Sequence, residues 1–288
     1  MSANGGEGRA VLVTGASRGL GREATLHLAR LGFRVYAGVR READGASLRR
    51  EGGEGVQPIS LDVTRDEEIE AAVGTVSVEV GDHGLWGLVN NAGIAVLGPM
   101  ETTPIPEVRG LFEVNFFGLL TLTQKLLPLI RRARGRIVNV SSVNGFLSMP
   151  FVGAYCASKF ALEAATDALR MELSPWGIGV SLVQPGITTS DIRQSAFKEW
   201  ARRREALSDE ERDRYASYHQ AGLVLAENLE TDAASPVVVS AAVEHALTAE
   251  RPNARYPTGS DAPQFMEMAA LSDEERDAVL LSMWEVQA

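Results

Sequence analysis

Residues 10–21 read AVLVTGASRGLG, and the organisation of the chain unfolds from that stretch. Ala10–Thr14 is a short apolar run leading directly into Gly15, Gly19 and Gly21, with Ser17, Arg18 and Leu20 between them. Beyond it, REATLHLARLG (22–32) has apolar residues at helical spacing and a closing glycine. A strand, a glycine loop and a helix in that order let the backbone turn tightly and approach a pyrophosphate, which then sits at the positive end of the helix. The spacing here is G-x-x-x-G-x-G, not the commoner G-x-G-x-x-G.

The same beat continues downstream. Strand-like runs FRVYAGV (33–39), VQPISLDV (56–63), GLWGLVNNAG (84–93), RGRIVNVSS (134–142) and IGVSLVQPG (178–186) alternate with helical stretches. These helices cover about Arg65–Val80, Ile105–Arg134 and the segment containing Tyr155. Such alternation predicts an α/β fold, a doubly wound parallel sheet with helices on both faces. Near-continuous Val, Leu and Ile in the strands fits burial of both faces. No linker interrupts the first 190 residues, so one domain is expected over 9–288, after a polar, glycine-rich tail at 1–8.

The C-terminal third reads differently. Helical stretches are expected at Asp191–Leu207, Ser208–Leu229 and Ser235–Ala249, then RPNARYPTGSDA and a final helix. We expect residues 190–232 to form a lid over the substrate and 233–288 to add helices and a tail. ALSDEERD occurs at 206–213 and again at 270–277, each copy with Ser and Glu in capping-box spacing (Ser208/Glu211, Ser272/Glu275). Two copies are a recurring helix start rather than a repeat architecture.

Net charge is −10 over 288 residues, and from Asp191 onward 19 acidic side chains face only 10 basic ones. An acidic C-terminal third argues against nucleic acid or an anionic membrane as partner. The sequence has no apolar run long enough to span a bilayer and no signal pattern at the N-terminus. A single cysteine, Cys156, rules out an intramolecular disulfide and fits a reducing cytoplasm. We read it as a small core-facing residue.

Tyr155 and Lys159 lie four apart in AYCASKFALEAATDALRMEL, so phenol and ammonium share one helical face. Ser142 ends the strand-like run before that helix. A hydroxyl, a phenol and an ammonium are the parts needed to move a proton on or off an oxygen. The chain uses arginine 25 times and lysine three times, at 125, 159 and 198. A compact ammonium with a tunable pKa is a reason for lysine at 159.

The end of the second strand selects the dinucleotide. An acidic residue there would bind ribose hydroxyls, but this chain offers Gly38, Val39, Arg40 and Arg41, with Arg18 in the glycine loop. Arginine forks suit a 2′-phosphate, so NADP(H) is expected over NAD(H). Asp62, after the third strand, is placed for the adenine amine.

Together these motifs resemble the short-chain dehydrogenase/reductase family over roughly residues 9–190. They run in order as TGASRGLG, Asp62-Val63, NNAG at 90–93, Asn115, Ser142, YCASK at 155–159 and PG at 185–186. The segment ALTAERPNARYPTGSDA also looks like the branch containing retinol and 17β-hydroxysteroid dehydrogenases. The resemblance implies a Rossmann-type fold and a tetrad. Tyr155 would be the general acid/base, Lys159 would bind the nicotinamide ribose and lower the phenol pKa, and Ser142 would bind the substrate oxygen. Asn115 would hold a water that relays protons through Lys159. Val63, Asn91, Ala92, Gly93, Pro185 and Gly186 would also line the cofactor. A hydroxyl on the nicotinamide amide would come from Thr188, Thr189 or Ser190, because serine stands where the family has threonine.

Substrate contacts are expected from IAVLGPM (94–100), FLSMPFV (146–152) and the 191–207 helix. Leu97, Asn144, Met149, Phe151, Phe197 and Trp200 would make an apolar pocket for a hydrophobic alcohol or carbonyl, with no metal. The family commonly pairs subunits through the 107–133 and Tyr155 helices, so a homodimer or homotetramer is expected. A non-catalytic dinucleotide sensor on the same fold would predict loss of Tyr155, Lys159 or Ser142. A sugar-nucleotide enzyme of the extended branch would show other glycine spacing and a longer substrate domain.

Overall fold

A computed structural model describes residues 8–189, 191–231 and 233–283. Seven parallel strands form one sheet: β1 (Ala10–Val13), β2 (Arg34–Val39), β3 (Val56–Ser60), β4 (Gly87–Asn90), β5 (Arg136–Val140), β6 (Gly179–Pro185) and β7 (Arg255–Thr258). Their order is β3-β2-β1-β4-β5-β6-β7, so the winding reverses between β1 and β4. A crevice opens at the carboxyl ends of the strands at such a reversal. The expected doubly wound Rossmann-type sheet is present.

The helices are α1 (Gly19–Arg30), α2 (Glu42–Gly52), α3 (Asp66–Val80), α4 (Ile105–Phe112), α5 (Gly118–Ala133), α6 (Gly153–Leu173), α7 (Asp191–Glu205), α8 (Asp209–Arg214), α9 (Ala216–Thr231), α10 (Val237–Thr248), α11 (Ala262–Ala269) and α12 (Asp273–Met283). Alternate strand residues feed two cores. Leu12, Leu88, Ile137 and Val180 pack with Ile69 and Val76 of α3, Leu122 and Leu126 of α5, and Leu162 of α6. Val11, Val35, Val89, Val138 and Val183 pack on the other side with Leu26 of α1, Leu48 of α2 and Val243 and Leu247 of α10. Each face therefore needs its own apolar set, which is why the strands lack alternation.

Three features differ from the sequence reading. The helix expected over Ile105–Arg134 is interrupted by a π turn at Glu113–Phe117 that contains Asn115. Its extra residue turns the Asn115 side chain toward Ile94 at the exit of β4. The stretch RPNARYPTGSDA, to which the sequence reading gives no element, contains β7. Pro257 and Pro58 lie in β7 and β3, the two edge strands, where a missing backbone donor is tolerated and sheet extension is discouraged. The helix expected over 208–229 is split after Arg214 into α8 and α9, and the final helix into α11 and α12. Both copies of ALSDEERD do cap helices, with Ser208 and Ser272 exchanging hydrogen bonds with Glu211 and Glu275.

Gly118 at the start of α5 brings that helix onto the chain leaving β3. A Cβ there would stand 2.2 Å from the Val63 carbonyl oxygen, and backbone cannot yield as a flexible side chain can. Gly118→Ala is expected to destabilise the fold by about 1–3 kcal/mol, read as a lower urea midpoint at unchanged slope.

Candidate active site

The glycine loop leaves β1 and enters α1 against the chain leaving β4. Gly15 (φ +64°) lies so close that a Cβ would sit 2.9 Å from the Ala92 Cα, and one on Gly21 would sit 2.3 Å from the Asn91 Nδ2. Those two glycines serve loop-to-loop packing. Gly19 (φ +53°) has open space where a Cβ would stand, leaving backbone bare at the start of α1. Thr14, unassigned by the sequence reading, ties the two loops. Its Oγ1 accepts from the Asn91 and Ala92 amides at 3.0 and 2.9 Å, while Asn91 Nδ2 donates back to the carbonyls of Thr14 and Gly15 at 3.0 and 3.2 Å.

Twelve of the expected cofactor residues line one cleft: Gly15, Ser17, Arg18, Gly19, Leu20, Gly21, Arg40, Asp62, Val63, Asn91, Ala92 and Gly93. Arg40 and Arg41 part company. Arg40 faces the cleft, whereas Arg41 makes a two-pronged bond to Asp44 at the start of α2, at 2.8 and 2.9 Å. Burial acts to raise the Asp62 carboxyl, but hydrogen bonds from Thr64 and the charges of Arg40 and Arg65 outweigh it and hold it below the usual carboxylate range.

The cleft runs on into a second chamber. Leu20, Asn91, Gly93, Ile94 and Ile192 border both, and the second adds Ser142, Tyr155, Lys159 and Pro185. Ile192 of α7 is a wall residue that the sequence reading missed; it comes from the segment after PGITTS and folds back over the crevice. Ser142 leaves β5 extended; its Oγ accepts from the Asn144 amide at 3.1 Å and donates to the Pro185 carbonyl at 3.5 Å. Desolvation pushes the Tyr155 phenol up to about 12, against a hydrogen bond with Ser142 that lowers it. Lys159 is buried, donates to the Val140 carbonyl at 2.9 Å, and holds its Nζ 5.7 Å from the Tyr155 ring centre. Burial lowers its ammonium to about 8, partly opposed by the charge of Glu163.

Asn115 stands behind this chamber, fully buried. Its side chain spans Ile94, accepting from the amide and donating to the carbonyl, both at 2.9 Å, and donates to Ser158 Oγ at 3.0 Å. Ser158 Oγ in turn donates to the Tyr155 carbonyl at 2.8 Å, so Asn115 braces the β4 exit against α6. Gly186 and Thr188 lie just past the chamber. The Gly186 amide donates to the Thr258 carbonyl at 2.8 Å, the Ile187 amide to Asp261 Oδ2 at 2.7 Å, and Thr188 bridges Ala234. Ser190 lies outside the described residues.

The expected substrate wall is gathered, but as packing. Leu97, Phe151 and Trp200 are buried against one another and against Phe197, with Phe151 and Trp200 edge to face at 5.0 Å. None of the six expected pocket residues lines the chamber holding Tyr155, because these large apolar side chains bury their surfaces together instead. Met149 and Phe151 line a neighbouring groove with Met100, Tyr215, Tyr218 and Leu280, and Asn144 sits at the turn after Ser142. His219, absent from the sequence reading, is buried among Phe151 and Trp200. Both its ring nitrogens and the Trp200 Nε1 lack hydrogen-bond partners among the described residues. Phe151 also has φ +72°, a conformation strained for a bulky residue.

Residues 9–201 match the model of a family described as short chain dehydrogenase. Among named relatives, mouse Retinol dehydrogenase 16 is 38% identical over 263 residues, covering 88% of this chain and 82% of the relative. Human 17-beta-hydroxysteroid dehydrogenase type 6 is 36% identical, covering 95% and 88%. Among solved structures, a short-chain dehydrogenase from Streptomyces avermitilis superposes with a TM-score of 0.76 at 30% identity, covering 97% of this chain and 96% of that one. A short chain dehydrogenase from Burkholderia cenocepacia J2315 in complex with NADP superposes at 0.73 with 25% identity, covering 96% and 98%.

Thr14→Val keeps the side-chain shape but removes the acceptor for two amides. It is expected to cost about 1–3 kcal/mol and to speed hydrogen exchange selectively at Asn91 and Ala92.

Proposed function

The chain belongs to the short-chain dehydrogenase family, and from that premise we propose that it interconverts a hydrophobic alcohol and its ketone or aldehyde using NADP(H). The observation that carries this reading is the meeting of Ser142, Tyr155 and Lys159 in a chamber continuous with the glycine-loop cleft.

The cleft fits a dinucleotide. Bare backbone at Gly19 suits a pyrophosphate at the N-terminus of α1, and Arg18 and Arg40 bring two guanidinium groups to the end where β2 stops. The Asp62 carboxylate suits the adenine amine. When bound, the nicotinamide accepts a hydride from the carbinol carbon or returns it to the carbonyl carbon. The remaining work falls to side chains. Tyr155 and Ser142 hydrogen-bond the substrate oxygen, and Tyr155 takes or gives its proton. A phenol at about 12 is a poor base near neutrality, so the Lys159 charge must act on it once the site closes. Asn115 spends both amide hydrogens and one acceptor site of Oδ1 on Ile94 and Ser158, leaving one lone pair of Oδ1 for any water it orders in a proton path. Thr188, Thr189 or Ser190 carries the hydroxyl for the nicotinamide amide.

In this reading residues 191–231 are a lid, clasped by Arg203 to the Leu97 carbonyl and Glu107, and by Arg214 and Tyr215 to Glu101. Substrate enters as the Leu97, Phe151, Phe197 and Trp200 cluster parts. The unpartnered nitrogens of His219 and Trp200 favour a lipophilic molecule with a second polar group away from the reacting one. Relatives named for retinol and for 17-beta-hydroxysteroids point to the same chemical class. Exposed Phe117 and Phe160, near the start of α5 and on α6, support a dimer through those helices. Among the described residues no helix is long and apolar enough to cross a membrane, and a buried free Cys156 is compatible with the cytoplasm.

Oxidation of NADPH is measured against hydrophobic aldehydes and ketones, beginning with retinaldehyde and 17-ketosteroids. Tyr155→Phe is expected to lower kcat by about 10²–10⁴-fold with dinucleotide binding retained; undiminished turnover would overturn the mechanism. Arg40→Ser is expected to raise the Kd for NADPH by about tenfold or more and to leave NADH nearly unchanged. Tighter binding of NADH by the unmodified protein would refute the NADP(H) assignment.

A further inference from the structure

The face of α6 that carries Tyr155 and Lys159 continues through Glu163 and Asp167 at the same four-residue interval. Glu163 is a buried carboxyl for which the proton-transfer scheme has no role. It occupies a junction of four elements. Oε1 accepts from Gln184 Nε2 at 3.0 Å, and Gln184 immediately precedes Pro185 at the end of β6. Oε2 accepts from Arg255 Nε of β7 at 3.3 Å. Gly145, in the turn after Ser142, lies against it so closely that a Cβ would stand 2.8 Å from the Glu163 Cγ.

We propose that Glu163 is a positioning residue: the buried counter-charge that keeps the Lys159 ammonium protonated, itself held in place by Gln184 and Arg255. This rests on the reading of Tyr155 and Lys159 as the reacting pair. A buried ammonium is destabilised by loss of water, and the Lys159 hydrogen bond to the Val140 carbonyl is to a neutral dipole. The charged groups facing Glu163 are few. Lys159 and Asp167 flank it on α6, and Arg255 reaches it from β7, sharing its other end with Asp167 at 2.6 Å. The groups from β6 and from the turn after β5 are the uncharged Gln184, Ser141 and Gly145. Arg255 and Lys159 therefore compete for one carboxylate, with Asp167 drawing Arg255 outward. Burial lowers Lys159 to about 8, and the charge of Glu163 is what opposes a further fall. Without it the ammonium would lose its proton near working pH, and with it the charge that makes Tyr155 a usable base.

The chain's economy of lysine makes this directly measurable. Lys125, Lys159 and Lys198 are its only three, so ¹³C-lysine labelling gives three side-chain resonances, and Lys159→Met assigns one. The full-length protein is titrated with no substrate present. Glu163→Gln, which keeps size and hydrogen-bonding capacity, is expected to lower the Lys159 midpoint by about one unit, a tenfold change in its protonation equilibrium. Arg255→Gln frees the carboxylate from its competing cation and is expected to move the midpoint the opposite way. Asp167→Asn releases Arg255 toward Glu163 and is expected to move the midpoint downward, together with lower thermal stability.

An unchanged Lys159 midpoint in Glu163→Gln overturns the proposal. Should that variant fail to fold, Glu163→Gln is combined with Arg255→Gln: a Lys159 midpoint below that of Arg255→Gln alone supports the counter-charge, and an equal or higher one refutes it. Because the readout is the lysine and not turnover, it separates two failures. Activity surviving Tyr155→Phe would refute the catalytic reading, whereas a static lysine midpoint would refute only the role of Glu163.

Discussion

A short ladder of amides and hydroxyls under the crevice sets the placement of everything that does chemistry here. Asn90 of β4 and Asn139 of β5 are register partners in the sheet, and Asn90 Nδ2 donates to Asn139 Oδ1 at 2.9 Å. Asn90 also donates to Thr123 of α5 at 2.9 Å, and Asn139 to Thr166 of α6 at 2.8 Å. All four are buried, where an unpaired amide or hydroxyl is expensive and correct pairing admits little slack. Apolar packing alone would let α5 and α6 slide on the sheet. These bonds lock the two helices to adjacent strands, one residue before Asn91 and three before Ser142. Lys159 and Tyr155 lie seven and eleven residues before Thr166 on α6, and so inherit a fixed height over the crevice.

The chamber then exploits burial in two opposite senses. Desolvation raises a phenol and lowers an ammonium, so neutral forms of both Tyr155 and Lys159 are favoured when the site is considered alone. Proton transfer needs the reverse, a charged lysine beside a tyrosine able to ionise. In the proposed mechanism the conflict is resolved by placement, not exposure: a carboxylate one helical turn beyond Lys159, a hydroxyl from Ser142 on the phenol, and a carbonyl from Val140 on the ammonium.

Much of this was legible in the chain because it depends on local spacing. Alternating apolar runs and helices declared the parallel sheet, the glycine triplet marked the loop, and Tyr155 with Lys159 needed only the helical period. The misreadings came where long-range contact decides. The sequence reading gives β7 no element, since nothing local says that the segment will find an open sheet edge at β6. The π turn at Asn115 is set by its bonds to Ile94, 21 residues away. Thr14 gave no signal beyond its place before Gly15, and His219 none at all. Arg40 and Arg41 are indistinguishable as letters; Asp44, three residues on, claims Arg41 and leaves its neighbour to the cleft.

The substrate side illustrates the remaining distance between composition and site. Apolar residues at the strand exits were recognised as a group, and they do assemble, but into a cluster closed on itself. Two features of that closure bear on the proposed lid. Phe151 holds a backbone conformation worth roughly 1–3 kcal/mol of strain, and its carbonyl is held at 2.7 Å by the Gly98 amide of the facing loop. Among the described residues, three buried nitrogens beside that cluster, two on His219 and one on Trp200, have no hydrogen-bond partner. A core selected for stability alone would replace them with hydrocarbon. Strain and unsatisfied polarity concentrated in one loop and two helices are what a surface retains when its favoured packing includes another molecule.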